Sequence, residues 1–84
     1  MKAPVVGTAF WMLRHRASGP VMVRHEVRDL IDEHFVHRRY SASQRRWIYE
    51  VEPLVVWRLS VGRTLFLDKA AGGRWLRRRL RRTK

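Results

Sequence analysis

The clearest pattern of apolar and polar positions lies in residues 21–39 and predicts an amphipathic helix. One set of side chains recurs there at spacings of three and four: Val23, Val27, Leu30, Ile31 and His34. Acidic side chains fall on the opposite helical arc: Glu26, Asp29, Asp32 and Glu33. We therefore expect Leu30 and Ile31 to be buried and Asp29 and Glu33 to be exposed.

Shorter patterns on both sides predict further helices. Residues 8–16 would form a short helix that ends at the turn residues 18–20. Residues 41–44 have the spacing of a capping box, which predicts a helix that Pro53 kinks or ends. Residues 54–67 fit a helix or a strand, and we favour the helix because a lone strand would have no sheet to join. The predicted fold is mainly α, with three to four short helices.

Cations are concentrated at the C-terminus. The 84 residues contain 19 Lys+Arg and 7 Asp+Glu, a formal charge of +12. The final segment has no carboxylate and carries these cations: Arg74, Arg77, Arg78, Arg79, Arg81, Arg82 and Lys84. We therefore divide the chain into a helical body, residues 1–71, and a basic extension, residues 72–84, with a hinge at Gly72-Gly73 and a short helix at 74–82.

This charge predicts a polyanionic partner, because a compact chain of this kind repels itself unless an anion neutralises it. The chain has no cysteine, so neither a disulfide nor a thiolate zinc site can support its small core. We expect support from association, with rRNA and neighbouring proteins of a large complex as the partners.

Arginine adjoins tryptophan at three places, residues 45–47, 57–58 and 74–75. Bases of single-stranded RNA stack on aromatic and guanidinium planes. We expect Trp75 to contact RNA because it lies in the basic extension, and we expect Trp47 and Trp57 in the core. The predicted anion or nucleic-acid-binding residues are Arg45, Arg46, Arg74, Trp75, Arg77, Arg78, Arg79, Arg81, Arg82 and Lys84.

Catalytic or metal-binding motifs are not evident in the sequence. His34 and His37 would share one side of a helix, but no third ligand stands at metal-site spacing. The serines lack a nucleophile-elbow context, and Gly72-Gly73 lacks the Lys-Ser/Thr of a phosphate-binding loop. We predict a protein that is not an enzyme and that takes no metal, cofactor or small-molecule substrate.

Residues 23–35, with Met12-Leu13-Arg14 upstream and Arg38-Arg39 after them, resemble the small mitochondrial LYR-motif proteins. Phe35 would match the phenylalanine of that family's Arg-rich helix, and residues 12–14 its Leu-Leu-Arg. Residues 8–10, Thr-Ala-Phe, stand in place of the Leu-Tyr-Arg tripeptide itself. The resemblance implies a three-helix adaptor of mitochondrial complexes whose basic residues face an acidic acyl-carrier partner.

Localisation and function follow from the same charges. No acid precedes Glu26, whereas several cations do, a pattern shared with mitochondrial targeting segments. We expect a mitochondrial ribosomal protein that binds rRNA through its Arg-rich extension. The alternative is an accessory subunit of an inner-membrane respiratory complex that contacts anionic lipid or acidic subunits. The size of the positive charge favours the ribosome.

Overall fold

A five-stranded antiparallel sheet forms the centre of the computed structural model, which describes residues 3–82 and the side chains through residue 81. The strands are β1 (Ala9–Arg16), β2 (Gly19–Ile31), β3 (His34–Ser41), β4 (Arg46–Pro53) and β5 (Leu65–Phe66), in the spatial order β4-β3-β2-β1-β5. Two helices accompany them, α1 (Leu54–Ser60) and α2 (Lys69–Arg82). The prediction of a mainly α fold is therefore wrong.

The segment predicted as the amphipathic helix is a β-hairpin. Strands β2 and β3 pair in antiparallel register, and the chain reverses between Ile31 and His34. Asp32 has a φ of 53°, a left-handed conformation that aspartate tolerates better than most residues. Leu30 and Ile31 are exposed, so their predicted burial is wrong, whereas the predicted exposure of Asp29 and Glu33 is confirmed.

The other two helices predicted before Pro53 are also strands. Residues 9–16 form β1, and the predicted break at residues 18–20 is where β1 turns into β2. The Ser41 hydroxyl accepts a hydrogen bond from the Gln44 backbone N–H, as a capping box would require. Arg45 then adopts a φ of 55°, and the chain reverses into β4 where the sequence predicted a helix.

Residues 54–67 were predicted as a helix, and helix α1 confirms this prediction for residues 54–60. Leu65–Phe66 instead pair with β1 as strand β5. The buried apolar core consists of Phe10, Val27, Phe35, Trp57 and Leu65. Trp57 of α1 lies edge-on to Phe10 and Phe35, with ring centroids 5.5 Å apart in each case. The predicted burial of Trp57 is confirmed.

Helix α2 packs on the opposite face of the sheet, against β1, β2 and β5. It contains the predicted helix at residues 74–82 but begins at Lys69, so Gly72 and Gly73 lie inside it and form no hinge. A Cβ on Gly72 would stand 3.1 Å from Cε of Met22, which shows how closely helix and sheet approach. The predicted boundary between residues 71 and 72 falls within this helix.

The resemblance to LYR-motif proteins implied a three-helix body, and the residues that carry it are instead strands β1 and β2 and the start of β3. Long-range pairing therefore determines this region, and the local period of three and four does not. Within residues 3–82, neither helix combines the length and the apolar character that crossing a membrane requires.

Candidate functional site

The C-terminal arginines form one exposed surface, which we call the basic face of α2. It consists of Arg74, Arg77, Arg78 and Arg81, which follow one another at spacings of three, one and three residues. Side chains at such spacings share one side of a helix, and here they line a shallow groove of ≈ 220 Å³. The structure thus brings together four of the residues predicted to bind anions.

Within the part of the chain that the structure describes, no salt bridge reaches α2. Five salt bridges are formed there, and all of them use the carboxylates of Glu26 or Glu50 on the sheet. The first turn of α2 contains no acid, and Asp68 before it accepts a hydrogen bond from the Ala70 backbone N–H. The charge of the basic face is therefore left for an external anion.

Trp75 and Arg79 lie beside the basic face. Trp75 is half-buried against Phe66 of β5, with ring centroids 5.5 Å apart, and the Arg79 guanidinium lies 5.4 Å from the Trp75 ring centroid. Trp75 therefore anchors α2 to the sheet. Lys84 and the side chain of Arg82, also predicted to bind anions, lie outside the described residues.

Arg45 and Arg46 lie at the opposite edge of the sheet from α2. Both side chains are exposed in and after the turn between β3 and β4, and Arg46 donates a hydrogen bond from Nε to Gln44 Oε1 at 2.9 Å. The structure does not join these two predicted binding residues to the basic face, because α2 packs against β1, β2 and β5.

A second exposed surface lies on the α2 side of the sheet, over β3 and β4, and we call it the aromatic ladder. It consists of Arg38 and Tyr40 of β3 and Trp47 and Tyr49 of β4. Tyr40 pairs with Trp47 and Arg38 with Tyr49 in the strand register, so the four side chains share one face. Trp47 is 41% exposed, and its predicted place in the core is wrong.

The aromatic ladder is not among the predicted binding sites, although the sequence contains a signal for it. Trp47, Tyr49 and Val51 alternate with Ile48, Glu50 and Glu52 at the period of two that marks a strand. The capping-box spacing at residues 41–44 favours a helix and therefore competes with this strand signal. Arg38 and Tyr40 follow the same period in β3, and only the pairing of the two strands places them beside the tryptophan.

Contacts within the aromatic ladder hold its side chains in fixed positions. The Arg38 guanidinium lies 3.8 Å from the Trp47 ring centroid and donates a hydrogen bond to the Tyr49 hydroxyl at 3.2 Å. Arg38 also donates a hydrogen bond to Glu26 on β2, and this bond is the main reason that the pKa of the Glu26 carboxyl lies below its usual range. Tyr40 lies edge-on to Trp47 at 5.5 Å.

The opposite, α1 side of the sheet contains a buried pair of histidines that is not among the predicted sites. His25 and His37 are fully buried, and their Nδ1 atoms are 3.0 Å apart. Burial, with a smaller effect of His37 and nearby arginines, lowers the pKa of His25 to about 3. Burial also lowers the pKa of His37. Both rings are therefore neutral at pH 7 and share one N–H···N hydrogen bond.

Glu50 approaches the two histidines, and the three side chains offer donor atoms within 4.8 Å of one another. Two imidazoles and a carboxylate are a ligand set that zinc accepts. Here, however, Glu50 is ion-paired with Arg14 and Arg39, which compete with a cation. Ligation through both Nδ1 atoms would also leave two buried Nε2–H groups without a partner. The arrangement therefore favours an N–H···N hydrogen bond between the Nδ1 atoms of the two histidines over a bound metal ion.

The histidine pair considered from the sequence, His34 and His37, does not form. Both residues lie on β3, where a separation of three places them on opposite faces of the sheet, and His34 is exposed whereas His37 is buried. The helical spacing that suggested a shared ligand position therefore has no counterpart in the fold.

Together these features define a class of small basic protein: an antiparallel sheet with one helix on each face, a basic helix surface and an exposed aromatic ladder. Comparison of the chain with protein-family models, with curated proteins and with solved structures finds no match. A proposal on function therefore depends on the chemistry of the residues themselves.

Proposed function

We propose that the chain is a non-catalytic RNA-binding protein that serves as a small basic subunit of a ribonucleoprotein assembly. The observation that carries the proposal is the basic face of α2, with four exposed arginines and no acidic partner among the described residues. Phosphate is the anion that a row of guanidinium groups suits best, because each planar fork donates two parallel hydrogen bonds to its oxygens.

The position of these arginines supports a polymer as the partner. Arg74 and Arg81 are seven residues apart, which corresponds to about 10 Å along a helix. Four cations spread over that length suit successive phosphates of one strand better than a single small anion. The sheet is less available for this role, because Glu26 and Glu50 already pair with several of its arginines.

The experiment that tests this function measures binding of the full chain to rRNA fragments across a salt series. We compare the wild type with the double variant Arg78→Gln/Arg81→Gln, and use Arg58→Gln/Arg63→Gln as a control with the same change in charge. Arg58 and Arg63 are exposed but lie outside α2. For each phosphate that the protein no longer neutralises, the slope of log affinity against log salt should fall by about 0.7 for single strands.

The expected result is a shallower slope for the α2 variant and an unchanged slope for the control. Equal slopes for all three proteins, or no RNA binding by the wild type, would contradict the proposal. Binding to anionic vesicles without binding to RNA would instead support the accessory subunit of a respiratory complex, which stays the alternative prediction.

The mitochondrial ribosome remains the specific assembly that we predict. Fractionation of a native lysate by size, with and without ribonuclease, tests it. Migration with ribosomal particles that ribonuclease abolishes agrees with the prediction. Migration with respiratory complexes that depends on detergent contradicts it.

A further inference from the structure

One half of the α2 side of the sheet has no cover within the described residues. Helix α2 packs over β1, β2 and β5, whereas the aromatic ladder lies over β3 and β4. Tyr40 and Tyr49 are 50% and 55% exposed, and Val51 beside them is exposed as well. Exposed aromatic side chains grouped in this way mark a binding surface more often than isolated ones do.

The ladder is already ordered without a ligand. Cross-strand pairing sets the positions of its side chains, and Arg38 joins Trp47 to Tyr49 through its stacking contact and its hydrogen bond. Arg38 is in turn held by Glu26 of the neighbouring strand. Planar groups that are fixed before binding lose little conformational entropy when a flat ligand stacks on them.

The residue types in the aromatic ladder indicate whether a protein or a nucleic acid binds there. A protein partner with an apolar surface would bury the Arg38 and Glu26 charges, which costs desolvation energy. A nucleobase stacks on both aromatic and guanidinium planes, and its phosphates are attracted to a chain with a formal charge of +12. Flat faces, a fixed guanidinium and an overall positive field together suit an unpaired nucleotide.

We propose that the aromatic ladder is a stacking site for the bases of single-stranded nucleic acid, with Trp47 and Tyr49 as the principal contact residues. This inference rests on the proposed function and adds a second surface to it. Helix α2 and the ladder lie on the same side of the sheet, and Arg24 of β2 faces that side between them. A single nucleic-acid strand that crosses this side of the sheet therefore meets the arginines of α2 and the stacking planes of the aromatic ladder.

The test uses the full chain and three labelled probes: single-stranded oligouridylate, its single-stranded DNA counterpart and a duplex RNA. Trp47→Ala and Tyr49→Ala remove the stacking planes, Trp47→Phe keeps one, and Leu59→Ala is the control. Leu59 is an exposed apolar residue on α1. Circular dichroism of each variant establishes that the sheet is retained.

Trp47→Ala should weaken binding to single-stranded RNA by about 5- to 150-fold, the range expected for the loss of stacking on one base. Duplex binding should change much less, because paired bases are not accessible for stacking. Trp47→Phe should retain most of the affinity but lose part of the tryptophan fluorescence quenching on binding, and Leu59→Ala should match the wild type. Equal binding of the RNA and DNA single strands would assign the site to bases alone.

Two results would overturn the stacking site and leave the proposed function intact. One is an unchanged affinity for single strands in Trp47→Ala and Tyr49→Ala while Arg78→Gln/Arg81→Gln still reduces the salt slope. The other is a dimer of the free protein in sedimentation that Trp47→Ala dissociates, because the ladder would then face a second copy. If the wild type binds no nucleic acid, both proposals fail.

Discussion

His25 and His37 are two fully buried polar side chains that pack against the apolar core. Their rings contact the ring of Phe10, which stacks on His25 and lies edge-on to His37. The ring centroids are 5.2 Å apart for His25 and 5.4 Å apart for His37. The charged groups around the pair come from three strands, Arg14 of β1, Arg39 of β3 and Glu50 of β4. Burial is the main reason that both imidazoles stay neutral in the native protein, and the arginines further oppose a positive charge there.

This pair predicts a specific loss of stability in acid. In the unfolded chain a histidine has an ordinary pKa near 6.5, whereas the native pKa of His25 is about 3. Between these values the unfolded state binds a proton that the native state does not. The contribution of the neutral histidine to the free energy of unfolding should therefore be complete above about pH 7. Below about pH 6.5 the free energy of unfolding should fall by about 1.4 kcal/mol per pH unit for each such histidine.

Urea unfolding at a series of pH values measures this effect. His25→Phe keeps an aromatic ring in the core but removes one protonation site, so its stability should depend on pH less steeply than that of the wild type between about pH 6 and pH 4. His34→Gln is the control, because His34 is exposed on the same sheet. The same pH dependence in wild type and His25→Phe would mean that His25 is already protonated in the native state.

At the scale of elements, α2 differs from the helix that the sequence suggested, since its two glycines lie within it. Glycine destabilises a helix interior by roughly 0.5–1 kcal/mol relative to alanine. Gly72 has a packing reason, because a Cβ at this position would press against Met22 and Phe66. Gly73 has none of this kind, and the nearest atom to a Cβ there would be the tip of the Arg77 side chain at 3.5 Å.

Replacement of Gly73 by alanine should therefore stabilise the protein by up to about 1 kcal/mol, measured by thermal or urea unfolding. Gly62→Ala is the matched control, for which we expect a change in stability in the opposite direction. Gly62 has a φ of 81°, which alanine adopts only with strain, so this variant should be less stable than the wild type. A lower stability of Gly73→Ala than of the wild type would contradict this prediction.

The elements that the sequence predicts correctly are those determined by interactions between neighbouring residues in the chain. The helix at residues 74–82 was predicted from adjacent residues alone, and the basic face of α2 followed from the same run of arginines. Strand pairs were missed because each joins distant residues: Phe10 pairs with His25, and Arg38 with Tyr49. The aromatic ladder and the histidine pair exist only through that pairing, so no single window of sequence displays them.

The protein as a whole is a thin plate of 42 × 34 × 18 Å with a small apolar core. Among residues 3–82, each face of the sheet has one helix, and α1 is only seven residues long. A fold with such limited cover has little hydrophobic stabilisation to offset a formal charge of +12. Its stability should therefore depend strongly on how that charge is neutralised.

Salt should consequently have opposite effects on the free and the RNA-bound protein. At 0.01 M ionic strength charges interact over roughly 30 Å, comparable with the 34 Å width of the plate, whereas at 0.15 M the range is about 8 Å. Screening removes repulsion within the free protein, so its melting temperature should rise over this interval. The complex should show the reverse, because salt weakens the binding that stabilises the native state.

Calorimetric or circular-dichroism melts of the free protein and of its complex with single-stranded RNA measure both trends. Arg78→Gln/Arg81→Gln carries two fewer charges on the basic face, so its free form should melt higher at low salt and respond less to added salt. Arg58→Gln/Arg63→Gln should share that gain in the free form, because repulsion depends on total charge. Only the α2 variant should lose stabilisation by RNA, because that effect depends on where the charges lie. A free protein whose melting temperature falls as salt is added would show that its charges are already paired in the native state.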